Sequence, residues 1–389
     1  VTDNSRHFED FASHTLLKHR TYAAYIERWA RILLYHPPAI HLRIVDACAG
    51  SGADDTGNPG SPLIAVREAD AAAGQMSEHR GSPVTIEVVA IEKDPGRFAE
   101  LARRMAPHAG RRHRALPGTL ADHIAEFERD FAAVPTLFFI DPFGLEPLRA
   151  DIVRRCLAGH RNEVFLLFAD QAALRHWGVI AARDDEAAPP PELDLFGNGP
   201  AAPEPRTAAS GAVGITAAAA ERIMDAVFGS RAWRDVIAAT PRSRRRQAFV
   251  DLYVDLLKGF GAERVLPLPV IRGEQHKYHL VYATHSPRGY GVMKTEVERG
   301  WSSGVVGPRA TELMRLGTSV SRQPLREMIV REFAGRRVAW TDNDRGIPSI
   351  RRHVLENTPA MPHQLDALKE DLEAYRVPGT RKLVYDFPR

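Results

Sequence analysis

Three carboxylates, each set beside a turn of small residues or proline, are the groups in this chain best placed to do chemistry: Asp46, Glu92 and Asp141. Asp46 closes the apolar run Arg43-Ile-Val and opens Ala47-Cys48-Ala49-Gly50-Ser51-Gly52. Only small side chains let backbone N–H groups come close to a ligand, so this reads as a binding loop at the end of a first parallel strand. Glu92 ends the run Thr85-Ile-Glu-Val-Val-Ala-Ile91. A carboxylate there suits a ribose, whose two hydroxyls donate to one acid. Asp94, before Pro95, fits a helix N-cap better. Asp141 heads Asp141-Pro142-Phe143-Gly144. An acid, a proline and an aromatic at a strand tip suit an exocyclic amine. The carboxylate and a backbone carbonyl accept the amine hydrogens, and the ring stacks on a base taken out of its stack. With no cysteine at that tip, thiol attack on a pyrimidine is disfavoured, and Cys48 reads as loop packing.

The elements around these residues follow from periodicity. Helical spacing covers residues 14–36, up to Pro37-Pro38, and reads as a helix packed on a sheet. Strand 43–46 is followed by a helix over 63–73, with Ser61 as N-cap and Pro62 in its first turn. Strand 85–91, a helix over 97–105, a basic loop at 111–114 and a helix over 121–132 come next. Then come strand 136–140, a helix over 151–157 and strand 164–168. Parallel neighbours need crossover helices, so this alternation predicts an α/β doubly wound sheet. The alanine, proline and acid-rich stretch 183–214 reads as a mobile insertion. Helices over 217–228 and 247–258 flank a basic turn at 241–246, and strands at 264–270 and 278–284 precede a short helix over 291–300. His276 and His279 stand an odd number of residues apart on a strand, which predicts opposite faces and no shared metal. Beyond residue 300, helices over 324–333, 347–356 and 363–375 and a strand at 381–385 suggest a winged helix-turn-helix. Its middle segment could enter a groove through Arg345, Arg351 and Arg352, or the unit could dock a protein.

Strands of one parallel sheet carry their carboxyl ends to a common rim, so Asp46, Gly50, Glu92 and Asp141 are expected to converge. One acid by the small-residue loop, one on the second strand and one at the tip of strand 136–140 describe the cradle for S-adenosylmethionine in a Rossmann-like class I methyltransferase. A nicotinamide site is disfavoured. The third glycine of Gly-x-Gly-x-x-Gly is missing, and Glu92 lies roughly 40 residues from the loop, about twice the usual separation.

With 52 basic and 49 acidic residues among 389, the net charge is +3, so any basic surface must be local. Length suggests two domains. Two cysteines without zinc spacing predict a reducing compartment, and the polar start with no secretory pattern predicts a cytoplasmic protein. No apolar run has membrane-spanning length.

The segments Asp46-Ala-Cys-Ala-Gly50-Ser-Gly52, Gly60-Ser-Pro-Leu-Ile-Ala65, Phe139-Ile-Asp-Pro-Phe-Gly144, Phe228-Gly229 with Trp233, and Tyr278-His-Leu-Val-Tyr-Ala-Thr284 with Gly291-Val-Met-Lys294 together resemble the three-Cys-motif partner protein family (TcmP). The resemblance covers residues 14–300, and the tail is similar to the winged helix that often follows in that family. It implies a methyltransferase domain over 1–300, a winged helix over 301–389 and a functional link with a three-Cys-motif protein encoded nearby. Ala47-Cys48 departs from the Leu-Phe more usual after the acid, and the insertion is longer. The expected activity is S-adenosylmethionine-dependent methylation of an exocyclic amine of nucleic acid. Asp46, Ala49, Gly50, Ser51, Gly52 and Glu92 would serve the cofactor, and Asp141, Pro142 and Phe143 the target. The alternatives are a non-catalytic nucleic-acid-binding or partner-docking protein of the same fold, and a protein methyltransferase.

Overall fold

The structure, a computed structural model, describes residues 3–35, 39–187, 215–272, 275–302, 322–341, 349–380 and 383–388. Helix α1 (Asp3–Tyr35) leads into β1 (His41–Asp46), α2 (Ser61–Arg80), β2 (Thr85–Glu92), α3 (Pro95–Met105), β3 (Arg114–Pro117), α4 (Leu120–Glu128) and β4 (Thr136–Ile140). There follow α5 (Ala150–Cys156), β5 (Glu163–Phe168), α6 (Asp170–Ala187), α7 (Ala217–Phe228), α8 (Trp233–Ala239) and α9 (Arg245–Gly259). The sheet is completed by β6 (Arg264–Arg272) and β7 (Gln275–Thr284), after which α10 (Pro287–Ser302) packs back against α1.

The seven strands lie in the order β3-β2-β1-β4-β5-β7-β6. The first five are mutually parallel, and β7 runs antiparallel between β5 and β6. A mixed seven-stranded sheet in this order, flanked by helices, is the Rossmann-like methyltransferase architecture. Both faces are covered, and the period-2 alternation of each strand sorts its residues between them. Leu42, Ile44, Val88, Ala90, Leu137 and Phe139 face α1 and α2. Val45, Val89, Phe138 and Ile140 face the layer formed by α4 to α9. A fully buried side chain of this size contributes about 1.5–3 kcal/mol, so the sheet register is fixed many times over.

Several local expectations change. Helix α2 begins at Ser61 itself, with Gly60 as its extended N-cap residue and no side-chain cap. Asp94 does cap α3, accepting from the Arg97 N–H at 2.8 Å. Arg114 belongs to edge strand β3 rather than to a loop, because Val89 to Glu92 offer a free parallel partner. Arginine is tolerated there: its guanidinium reaches Glu87 and Glu126 at the sheet margin. Helix α6 continues through Ala187, so residues 183–187 are helical; positions 188–214 lie outside the described residues.

At the carboxyl-terminal end, helices Arg322–Glu332, Ile350–Asn357 and Pro362–Asp371 gather around their own apolar cluster with the antiparallel pair β8 (Arg337–Ala339) and β9 (Val384–Asp386). Helix Ile350–Asn357 packs on α10. There the buried Lys294 ammonium donates to the Thr358 and Ala360 carbonyls at 2.6 and 2.9 Å, just beyond that helix. Burial lowers the Lys294 pKa to about 7. Arg345 lies outside the described residues.

Candidate functional site

Asp46, Glu92 and Asp141 occupy adjacent strand tips because β2 and β4 flank β1. Asp46 pairs in register with Ala90 on one side and Phe139 on the other, and Glu92 and Asp141 come two residues later. They therefore stand one strand to either side and roughly 7 Å further along the rim. Even spacing keeps them on the face that Ile44, Ala90 and Phe139 share, beneath α1. Cys48 lies among them. Its thiol is pushed up by burial first, and then by the charges of Asp46, Asp141 and Glu92. A thiol held protonated in this way fits packing and not attack.

The loop after β1 is tied down at each step. Ala47 N–H donates to the Phe139 carbonyl and Ala49 N–H to that of Ile91. Gly50 N–H donates to Glu92 Oε2 at 2.8 Å, while Glu92 Oε1 accepts from Asp94 N–H at 2.8 Å. Each Glu92 oxygen so keeps one acceptor position for a ligand. Ser51 turns its hydroxyl back to the Ala53 carbonyl, and its own carbonyl accepts from Arg104. Gly50 and Gly52 have φ of 62° and 83°, values that favour glycine. A Cβ on Gly50 would enter open space, whereas one on Gly52 would come within 3.2 Å of Leu101. Gly50 thus faces the rim and Gly52 serves the packing of α3.

Asp46 is fully buried. Its Oδ1 accepts from Cys48 N–H at 3.4 Å, and among the described residues its Oδ2 makes no well-formed hydrogen bond, although the Ser61 hydroxyl is near enough to favour the charged form. Burial dominates and pushes its pKa up to about 7, with the Asp141 charge adding to the rise.

Helix α1 closes this face. Tyr22 stacks on Phe139 with ring centroids 4.1 Å apart, and one turn earlier Lys18 forms an ion pair with Asp141 Oδ2. His19 is held down to about 4, first by burial and then by Lys18. Tyr278 is pushed up by burial and by the Asp141 charge, which places the start of β7 at the same corner. Sequence reasoning left Lys18 unassigned. Its position four residues before Tyr22, on the buried stripe of the helix with Tyr25 and Trp29, was the available signal. Pro142 is buried, and Phe143 is 93% exposed with the Arg97 guanidinium 5.3 Å from its ring centroid.

Two further features lie outside the expected set. A groove of about 1120 Å³ between α1, α10 and helix Ile350–Asn357 is lined by Arg28, Arg31, Arg288, Arg299, Arg351 and Arg352 against Glu296 and Glu356. Arg351 and Arg352 therefore line a groove shared with α1 and α10. The other feature reverses the expectation of opposite faces for two histidines of β7. His276 and His279 come together, with ring centroids 4.5 Å apart, because β7 carries a bulge. Val270 pairs with Tyr278 and Ile271 with His276, which leaves Lys277 as an extra residue that reverses the alternation. Both rings point at Asp170, the first residue of α6.

No protein-family model matches the chain, and no curated protein matches it in sequence. Among solved structures it is similar to an O-methyltransferase from Bacillus cereus in complex with SAH, at 10% identity over 67% of this chain and 80% of that one, with a TM-score of 0.32. It is also similar to a precorrin-6y C5,15-methyltransferase from Geobacter metallireducens, at 11% identity over 67% and 86%, with a TM-score of 0.28. At these values the fold rests on the strand order, not on the likenesses.

Proposed function

We propose that the chain is an S-adenosylmethionine-dependent methyltransferase acting on an exocyclic amine of nucleic acid. The observation that carries this reading is the convergence of Asp46, Glu92 and Asp141 on one face of one rim, around a glycine turn open on its outer side. The residues suit the cofactor. Three carboxylates complement a ligand with a sulfonium and an ammonium, Glu92 keeps acceptor positions for ribose hydroxyls, and buried Asp46 Oδ2 lacks a well-formed partner among the described residues. The cofactor would supply an electrophilic methyl group. The protein's part is to hold and orient. Asp141 would accept hydrogens from the target amine so that the lone pair points inward, Pro142 fixes the tip, and the exposed Phe143 ring offers a face to a base.

Support for a nucleic-acid target comes from the groove, where six arginines face two glutamates. Arg28 and Arg31 lie 10 and 13 residues beyond Lys18 on α1, or about 15–20 Å from Asp141 along the helix. A bound strand could span that distance. The three helices and β8–β9 pair of the tail we read as a winged helix, and a three-Cys-motif protein encoded nearby as the expected functional partner.

The Lys18–Asp141 ion pair favours a second reading, a partner-docking protein that keeps the fold without turnover, since Lys18 holds the oxygen a substrate amine would need. One experiment separates the two. Calorimetry with S-adenosylhomocysteine and transfer of labelled methyl from the cofactor to total RNA, DNA and protein should show cofactor binding and label on nucleic acid. Asp141→Ala should keep the binding and lose the label. Label on polypeptide alone would replace the nucleic-acid target, and absence of cofactor binding would remove the enzymatic reading altogether.

A further inference from the structure

We propose that Asp170, His276 and His279 form a binding site for a divalent transition metal, zinc foremost, on the same rim as the carboxylates but on the opposite face of the sheet. One ligand atom from each of the three residues lies within 4.8 Å of the others. Asp170 is fully buried and His279 nearly so, with His279 Nδ1 2.6 Å and His276 Nδ1 3.4 Å from the same Asp170 Oδ2.

A structural ion pair does not account for this arrangement. Asp170 Oδ1 and both ring nitrogens of His276 are buried without a hydrogen-bond partner among the described residues. A buried polar atom without a partner is unfavourable, and these three belong to two side chains that face each other. A carboxylate whose only task was to hold His279 would gain from a second donor at Oδ1. Instead the chain spends a β-bulge on turning His276 toward that carboxylate, although an unbroken strand would have aimed it away. The Gln171 side-chain amide donates to the His276 carbonyl at 2.5 Å and so fixes the backbone that carries the ring.

Two imidazoles and one carboxylate are a donor set that zinc takes with three protein ligands, leaving a fourth position for water or another ligand. Metal bonds of about 2.0–2.2 Å require ligand atoms roughly 3.0–3.5 Å apart, so the 2.6 Å His279–Asp170 pair must open, while His276 Nδ1 already stands 3.4 Å from Asp170 Oδ2. Arg246 lies within electrostatic reach of His276, and its Nε is also buried without a partner, so an anionic fourth ligand would suit both. The ion would clamp the start of β7 to the start of α6, beside Tyr278 and the Asp141 corner. None of its ligands belongs to the proposed cofactor cradle, so this inference stands apart from the methyltransferase reading.

The test uses the full chain without an affinity tag, stripped with EDTA and titrated with zinc by calorimetry, and with cobalt by visible absorption. One zinc per chain should bind, cobalt should give the intense bands of a tetrahedral site, and zinc should raise the melting temperature. His276→Gln and His279→Gln should each weaken zinc at least about 100-fold. Among the described residues His276 makes no side-chain hydrogen bond, so His276→Gln should melt like the wild type when metal is absent. If that variant binds zinc and gains stability as the wild type does, or if the wild type takes up no zinc, the proposal is overturned.

Discussion

Asp141 is a single carboxylate whose Oδ2 is held by the Lys18 ammonium, and the amine acceptor proposed above would claim the same oxygen. If they compete, Lys18→Met should lower KM for the amine acceptor and leave kcat unchanged or higher. A rise in KM would mean that Lys18 helps to bind the acceptor. Asp46 makes a prediction about pH. Its pKa is raised to about 7 in the folded chain, against about 4 when unfolded, so between those values the native state binds more protons. Stability therefore falls as pH rises through that window. Asp46→Asn removes the fall and should stabilise the protein by on the order of 2–4 kcal/mol at pH 8, with little gain at pH 4.5. Thermal melts of both proteins at the two pH values check it; equal gaps would mean that burial does not hold the carboxyl protonated.

Among the elements, α1 does more than cover the sheet. Tyr25 donates to Glu163 Oε2 at 2.5 Å and meets the Tyr282 hydroxyl at 2.5 Å, while Thr284 donates to Glu163 Oε1 at 3.0 Å. This buried cluster ties α1 to β5 and β7 on the flank opposite α6. Gly289 in α10 closes over it: a Cβ there would lie 2.6 Å from Glu163 Oε1 and 2.7 Å from the Tyr282 hydroxyl. Gly289→Ala should cost about 1–3 kcal/mol, although the same exchange in an open helix position stabilises. Denaturant unfolding measures it, and a stabilised variant would show that α10 can shift away. Most of the main helices and strands were legible from periodicity, since a 3.6 or 2.0 repeat is a property of neighbouring residues; the short elements β3, α8 and β8 were not. The bulge at Lys277 was not, because an extra residue in one strand is defined only by its partner, here β6.

For the molecule as a whole, the basic groove joins what the sequence presents as separate parts. Arg28 and Arg31 come from the first helix, Arg288 and Arg299 from α10 and Arg351 and Arg352 from the tail. Near-zero net charge hid the cluster, because charge counting has no positions in it. If the groove holds a nucleic-acid backbone, Arg31→Glu with Arg351→Glu should weaken RNA binding. It should also flatten the slope of log affinity against log salt by about 1.4–1.8, two phosphate contacts' worth. An unchanged slope would move the nucleic acid elsewhere. Lys294 links α10 to the tail through two carbonyls. Its lowered pKa means that the unfolded chain binds more protons between about 7 and 10.4, so this group's contribution to stability grows as pH rises across that range. Lys294→Met leaves both carbonyls unpaired and should make the tail melt before the sheet, as separate calorimetric transitions would show.

What the sequence determined alone was local and periodic: the alternation of strand and helix, the small-residue loop after Asp46, the acids that end three strands and the cap at Asp94. Parallel strands share a rim by construction, so even the meeting of Asp46, Glu92 and Asp141 could be foreseen without coordinates. Only the tertiary structure decided which groups cross between elements. Lys18 reaches Asp141 from 123 positions away, and Asp170 receives two histidines more than a hundred residues distant. Such contacts depend on the seating of helices on a sheet and on one slipped residue in β7, and neither is encoded by nearest neighbours in the chain.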